Sequence, residues 1–126
     1  MKRDWKVIKG ILESAETGKD FDLSICKDYK LIAHNLNCLV DAGCIDENGR
    51  ADESDCLELD KCAEAVGNSI ITMKGHDLLD CLRYKKSSIV LDELNNMYLN
   101  GPLDLILDVV MELIKKELKA RINKRV

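Results

Sequence analysis

In residues 28–45, DYKLIAHNLNCLVDAGCI, apolar side chains fall at Ile32, Ala33, Leu36, Leu39 and Val40. That spacing lays one stripe down one side of a helix. Asp28 stands where an N-cap belongs, its carboxylate able to accept from first-turn amides that have no helical partner. Gly43 can take the left-handed conformation that stops a helix, and Cys44-Ile45 then opens an extended segment.

A helix closed by Ala-Gly and followed by a short strand and a polar turn is how the third helix of a winged helix-turn-helix enters its wing. The flanking residues extend that reading. Arg3 to Glu16 forms a first helix with Trp5, Ile8, Ile11, Leu12 and Ala15 on one side, ended by Thr17-Gly18. Phe21, Leu23 and Ile25 alternate with polar neighbours, which predicts a short strand or an extended connection. Asn48-Gly49 is a turn signal. Beyond it Cys56–Asp60 alternates and Asn68–Thr72 is apolar, so these segments are predicted to pair as the ribbon of the wing, with Ile45 as the alternative edge. Thr72 caps a further helix, MKGHDLLDCLRY, with Leu78, Leu79 and Leu82 facing inward. Gly75 in its first turn has no helical purpose; close packing against the wing accounts for it.

Lys85–Ser88 reads as a polar hinge, followed by a helix through Leu99. Asn100-Gly101-Pro102 then stops one helix and starts another, which runs from Leu103 to Lys124. The fold class is therefore mainly α with a small β wing: a winged helix-turn-helix domain over residues 1–84 and a C-terminal two-helix extension over 85–126.

Composition narrows the function. Hydrophobic residues make up 46% of the 126, aromatic ones only 4%, so the core is aliphatic. No apolar run approaches the ~20 residues that span a bilayer, and MKRDWKVIKG is charged where a signal peptide is apolar. The chain reads as cytoplasmic with no membrane partner. Six cysteines occur without a C-x-x-C pair, which points to structural thiols rather than a metal site or disulfide scaffold. No Gly-rich phosphate loop, nucleophile elbow or paired acid–base motif is present, so no cofactor and no enzymatic activity are called for.

Charge divides the chain. Through Tyr84 there are eleven Lys and Arg against seventeen Asp and Glu, and beyond it eight against six. Only the tail is basic.

Three segments together, MKRDWKVIKGILE, AHNLNCLVDAGCI and ITMKGHDLLD, resemble a phage- and prophage-associated winged-helix family of unknown function. Its members open Met-Lys-Arg-Asp, carry a helix ending in Ala-Gly-Leu-Ile and continue with Leu-Thr-x-x-Gly-His. This chain departs from that pattern with Cys44 in place of the usual leucine. Lys30 stands where a capping Ser or Thr is common, which shifts the cap to Asp28. The resemblance implies the fold and a mobile-element origin, and no activity.

Two contact surfaces follow from the residues. The predicted wing carries Asp46, Glu47, Asp52, Glu53, Asp55, Glu58 and Asp60 against a single Arg50. DNA affinity comes largely from neutralising phosphates, which such a surface repels. A basic protein partner suits it better, and Asp46, Glu47, Asp52, Glu53 and Asp55 are the predicted partner-binding residues. An inhibitor of a host nucleic-acid machine, such as an anti-CRISPR protein, is the concrete form. The alternative is a DNA-binding transcriptional regulator, dimeric on half-sites ~34–36 Å apart. It would use Lys27 and Lys30 on phosphates and Asn35 and Asn37 on adenine edges. The last helix is apolar on more than one side, and Leu105, Ile106, Val109 and Val110 are predicted to form a homodimer interface. His34 and Cys38, four apart, lack a third member and read as ordinary surface residues. His76 reads as a packing or capping residue.

Overall fold

The computed structural model describes residues 3–51 and 58–83, with Glu112 and Lys116 as isolated helical positions. Four α-helices appear in order: α1 Trp5–Thr17, α2 Tyr29–Asp41, α3 Leu59–Gly67 and α4 Met73–Leu82, with a 3₁₀ turn at Glu47–Gly49 between α2 and α3. The mainly helical reading holds, and no helix among the described residues is long and apolar enough to cross a membrane.

Helix α1 is the hub, packing against α2, α3 and α4. It buries Trp5, Val7, Ile8, Ile11 and Leu12. Facing them are Ile32, Leu36 and Leu39 from α2, Val66 from α3, and Leu78, Leu79 and Leu82 from α4. Each fully buried Leu or Ile contributes roughly 1.5–3 kcal/mol by leaving water. The core is aliphatic, as the composition implies.

The caps on α1 and α2 are local. Asp4 accepts from the amides of Lys6 and Val7, and Asp28 from those of Lys30 and Leu31. Gly43, at φ 79°, follows α2 and turns the chain toward Ile45.

The predicted two-stranded wing is corrected, and of its pairings only the alternative edge, Ile45, forms a contact. Among the described residues there is no strand, only one antiparallel bridge between Ile45 and Ile71. The Asp46 amide donates to the Ile70 carbonyl (2.9 Å) and the Thr72 amide to the Cys44 carbonyl (3.0 Å). The ladder stops there for a physical reason. On one side the chain enters the 3₁₀ turn, capped by Asp46. On the other, Thr72 caps α4 by accepting from the Gly75 amide. Of the segment predicted to pair with Asn68–Thr72, Cys56 and Leu57 lie outside the described residues, Glu58 is the N-cap position of α3, and Leu59 and Asp60 lie in its first turn. Phe21–Ile25 is also not a strand. Asp22 accepts from the backbone and hydroxyl of Ser24 (3.0 and 2.6 Å), folding the segment into a turn while Phe21 stays buried.

Gly75 has the packing role anticipated for it, against the bridge. A Cβ there would stand 2.2 Å from the Cys44 carbonyl oxygen and 2.7 Å from Ile71. The predicted hinge, the C-terminal helices apart from the helical positions Glu112 and Lys116, and the dimer residues Leu105, Ile106, Val109 and Val110 lie outside the described residues.

Candidate functional site

Of the predicted contact residues, Lys30 and Asn37 lie on the outward side of α2, and Asp46 and Glu47 at the turn that follows it. The inward stripe of α2 fixes which side faces solvent: Ile32, Ala33, Leu36, Leu39 and Val40 are buried. Lys30 and Asp41 are then exposed, while His34, Asn37 and Cys38 are half-buried. Lys27, just before the helix, is exposed as well.

The two asparagines do not behave as adenine readers. Asn35 is 0% exposed. Its Oδ1 accepts from the Asp4 amide (3.0 Å) and its Nδ2 donates to the Leu31 carbonyl (2.8 Å). This residue ties α2 to the start of α1, and its placement on the contact face is corrected. Asn37 makes a two-point clamp on Ala51: Nδ2 donates to the Ala51 carbonyl and Oδ1 accepts from the Ala51 amide, both at 2.8 Å. Its amide is engaged by backbone and is not available to read a base edge. Lys30 on the helix and Lys27 just before it are presented without either asparagine.

The acidic residues divide among several elements. Asp46 is half-buried and accepts from the Asn48 amide (3.0 Å), so it is first a cap of the 3₁₀ turn. Glu47 is exposed. Arg50, the lone cation of this stretch, is paired with Asp41 on α2, which holds its guanidinium in the charged form and raises its pKa. Asp52, Glu53 and Asp55 lie outside the described residues. Helix α3 adds an exposed acidic side, Glu58, Asp60 and Glu64, against Lys61, which sits 3.6 Å from Glu58. The sequence reading counted Glu58 and Asp60 in a strand and missed Glu64. Leu59, Cys62, Ala63 and Val66 carry the helical spacing that reveals this side. Between the 3₁₀ turn and the end of α3 lies an open cleft of about 160 Å³, lined by Asp46, Asn48, Arg50, Asn68, Ser69 and Ile70 among others.

A second polar cluster joins α1 to α4. Glu16 accepts from Arg83 Nη1 (2.8 Å) and pairs with His76 Nδ1 (3.2 Å). The Arg83 hydrogen bond is the main reason the Glu16 carboxyl sits below the usual glutamate range. His76 is therefore a tie between helices rather than a cap. Among the described residues no group of three or more His, Cys, Asp or Glu is placed to hold a metal ion.

No protein-family model matches the chain, and no curated protein or solved structure matches it.

Proposed function

We propose that this chain is a non-enzymatic, winged-helix-type protein of mobile-element origin that acts by binding a basic protein partner. The observation that carries the reading is the engagement of both α2 asparagines inside the molecule. Neither asparagine is offered to an adenine edge, while acids dominate the neighbouring described surface. The Ala-Gly end of α2 and the Ile45–Ile71 bridge support a reduced winged-helix type, since they join the segments that enter and leave a wing. The acidic surface steers association with a basic partner and disfavours nucleic acid. A host nucleic-acid-handling protein is the partner class that fits, with inhibition as the consequence, in the manner of an anti-CRISPR. Homodimerisation through the C-terminal segment and a cytoplasmic location belong to the same proposal.

The competing reading is a DNA-binding regulator, favoured by one observation: Lys27 and Lys30 are both exposed. Duplex binding by the purified chain across a salt series separates the two. The partner reading expects no binding even at low salt. Binding with a steep negative dependence on salt would overturn it. Changing Asp52, Glu53 and Asp55 to lysine should abolish binding to purified basic partners and strengthen any affinity for DNA.

A further inference from the structure

The cleft between the 3₁₀ turn and the end of α3 has fixed backbone on both sides. The Asp46 amide donates to the Ile70 carbonyl, and the Gly49 amide donates to the Asp46 carbonyl, both at 2.9 Å. Asn37 holds Ala51 by its amide and carbonyl together. Gly49 lies so near the strand-like return that a Cβ there would stand 3.2 Å from the Ser69 Cβ. These ties leave an open slot of about 160 Å³ whose apolar lining comes from Gly49, Ala51, Ala65 and Ile70.

Two parts of that lining are left to solvent. Ile70 is 63% exposed, an apolar edge along the slot. Asp46 uses Oδ1 to accept from the Asn48 amide (3.0 Å), and its other carboxylate oxygen has no hydrogen bond or ion pair among the described residues. Arg50, the cation of the lining, is taken up by Asp41 on α2. The exposed carboxylate of Glu47 stands next in the chain, so the mouth of the slot is negative.

We infer that this slot is the binding site for one lysine or arginine side chain of the basic partner. Its alkyl stem lies along Ala51, Ala65 and Ile70, and its cationic tip meets the unengaged oxygen of Asp46. Long basic side chains combine an apolar stem with a charged head that stays near water, which is the order of surfaces found from the floor of the slot to its mouth. An anionic occupant would be repelled by Asp46, and a purely apolar one would cover that carboxylate without pairing it. The inference rests on the partner reading for the source of the side chain, while the slot itself can be probed with small molecules.

The test titrates the full-length chain with Nα-acetyl-lysine amide and Nα-acetyl-arginine amide, reading backbone amide shifts by NMR. Nα-acetyl-norleucine amide, which keeps the stem without the charge, is the reference. Saturating shifts at Asn48, Gly49, Ser69 and Ile70 are expected from either cation at roughly millimolar concentration, the range open to so small a ligand. Norleucine should bind roughly three- to tenfold more weakly, between the value of an exposed ion pair and that of a buried charged hydrogen bond. Asp46→Asn keeps a side-chain oxygen to cap the 3₁₀ turn while losing the charge. It should weaken lysine binding by the same factor and leave norleucine binding unchanged. If that variant does not fold, the comparison of lysine with norleucine on the native chain decides alone. Equal binding of lysine and norleucine, or no shift at the slot amides, would overturn the inference. So would shifts that never saturate and spread evenly over Glu58, Asp60 and Glu64, the mark of diffuse attraction; that outcome leaves the partner reading standing. The partner reading fails separately, by duplex binding at low salt, and the titration still reports on the slot.

Discussion

Helices α2 and α3 are held in place by different means. Helix α2 runs 13 residues and brings its own start signal, the Asp28 carboxylate on the amides of Lys30 and Leu31. Helix α3 runs 9 residues from Glu58, whose side chain makes no cap hydrogen bond. Its order comes from elsewhere in the chain. The Phe21 amide donates to the Ala63 carbonyl at 3.0 Å. Gly67 lies so near the segment after α1 that a Cβ would stand 2.6 Å from the Lys19 carbonyl oxygen. One helix is specified by neighbours in sequence, the other by neighbours in space.

That contrast can be broken at three points by urea unfolding, read as a shift in midpoint at constant slope. The largest effect belongs to Gly67→Ala. In a helix governed by local propensity, alanine would stabilise it by up to about 1 kcal/mol. Against the Lys19 backbone it should instead cost about 1–3 kcal/mol, as overpacking does. A stabilised variant would end the claim that α3 is set by tertiary contact. Next is Asp28→Ala, which should cost about 1 kcal/mol, the usual loss on removing a carboxylate cap. A neutral result would mean that packing alone carries α2. The smallest is Glu58→Ser, which supplies α3 with the cap it lacks and should add about 0.5 kcal/mol. No gain there would mean that the start of α3 is already fixed by its surroundings.

The same contrast explains what could be read from the residues. The α2 stripe, its cap, Gly43 and the inward leucines of α4 are all short-range signals, and each is where its pattern places it. Helix α3 had the right spacing at Leu59, Cys62, Ala63 and Val66, but three of these are small. The alternation across Cys56–Asp60 competed with them. The predicted wing needed two strands to find one another over a distance, and a single bridge forms between Ile45 and Ile71.

For the contact surface, exposure was the missing quantity. Asn35 lies beside the apolar stripe, and sequence assigns a polar residue there to the outside. The amide of Asp4, 31 positions earlier, donates to its Oδ1 and draws it in. Asn37 is engaged by Ala51, 14 positions later, which no local pattern encodes. Lys27 and Lys30 have no such demand placed on them and face solvent.

The Asn37 clamp has a bearing on how such a surface changes over generations. It holds Ala51 through its amide and carbonyl alone, atoms that almost every residue type supplies. A grip on the main chain does not read the side chains that come after it. Substitutions downstream of Ala51 can therefore alter charge and shape while the point from which the chain departs stays fixed.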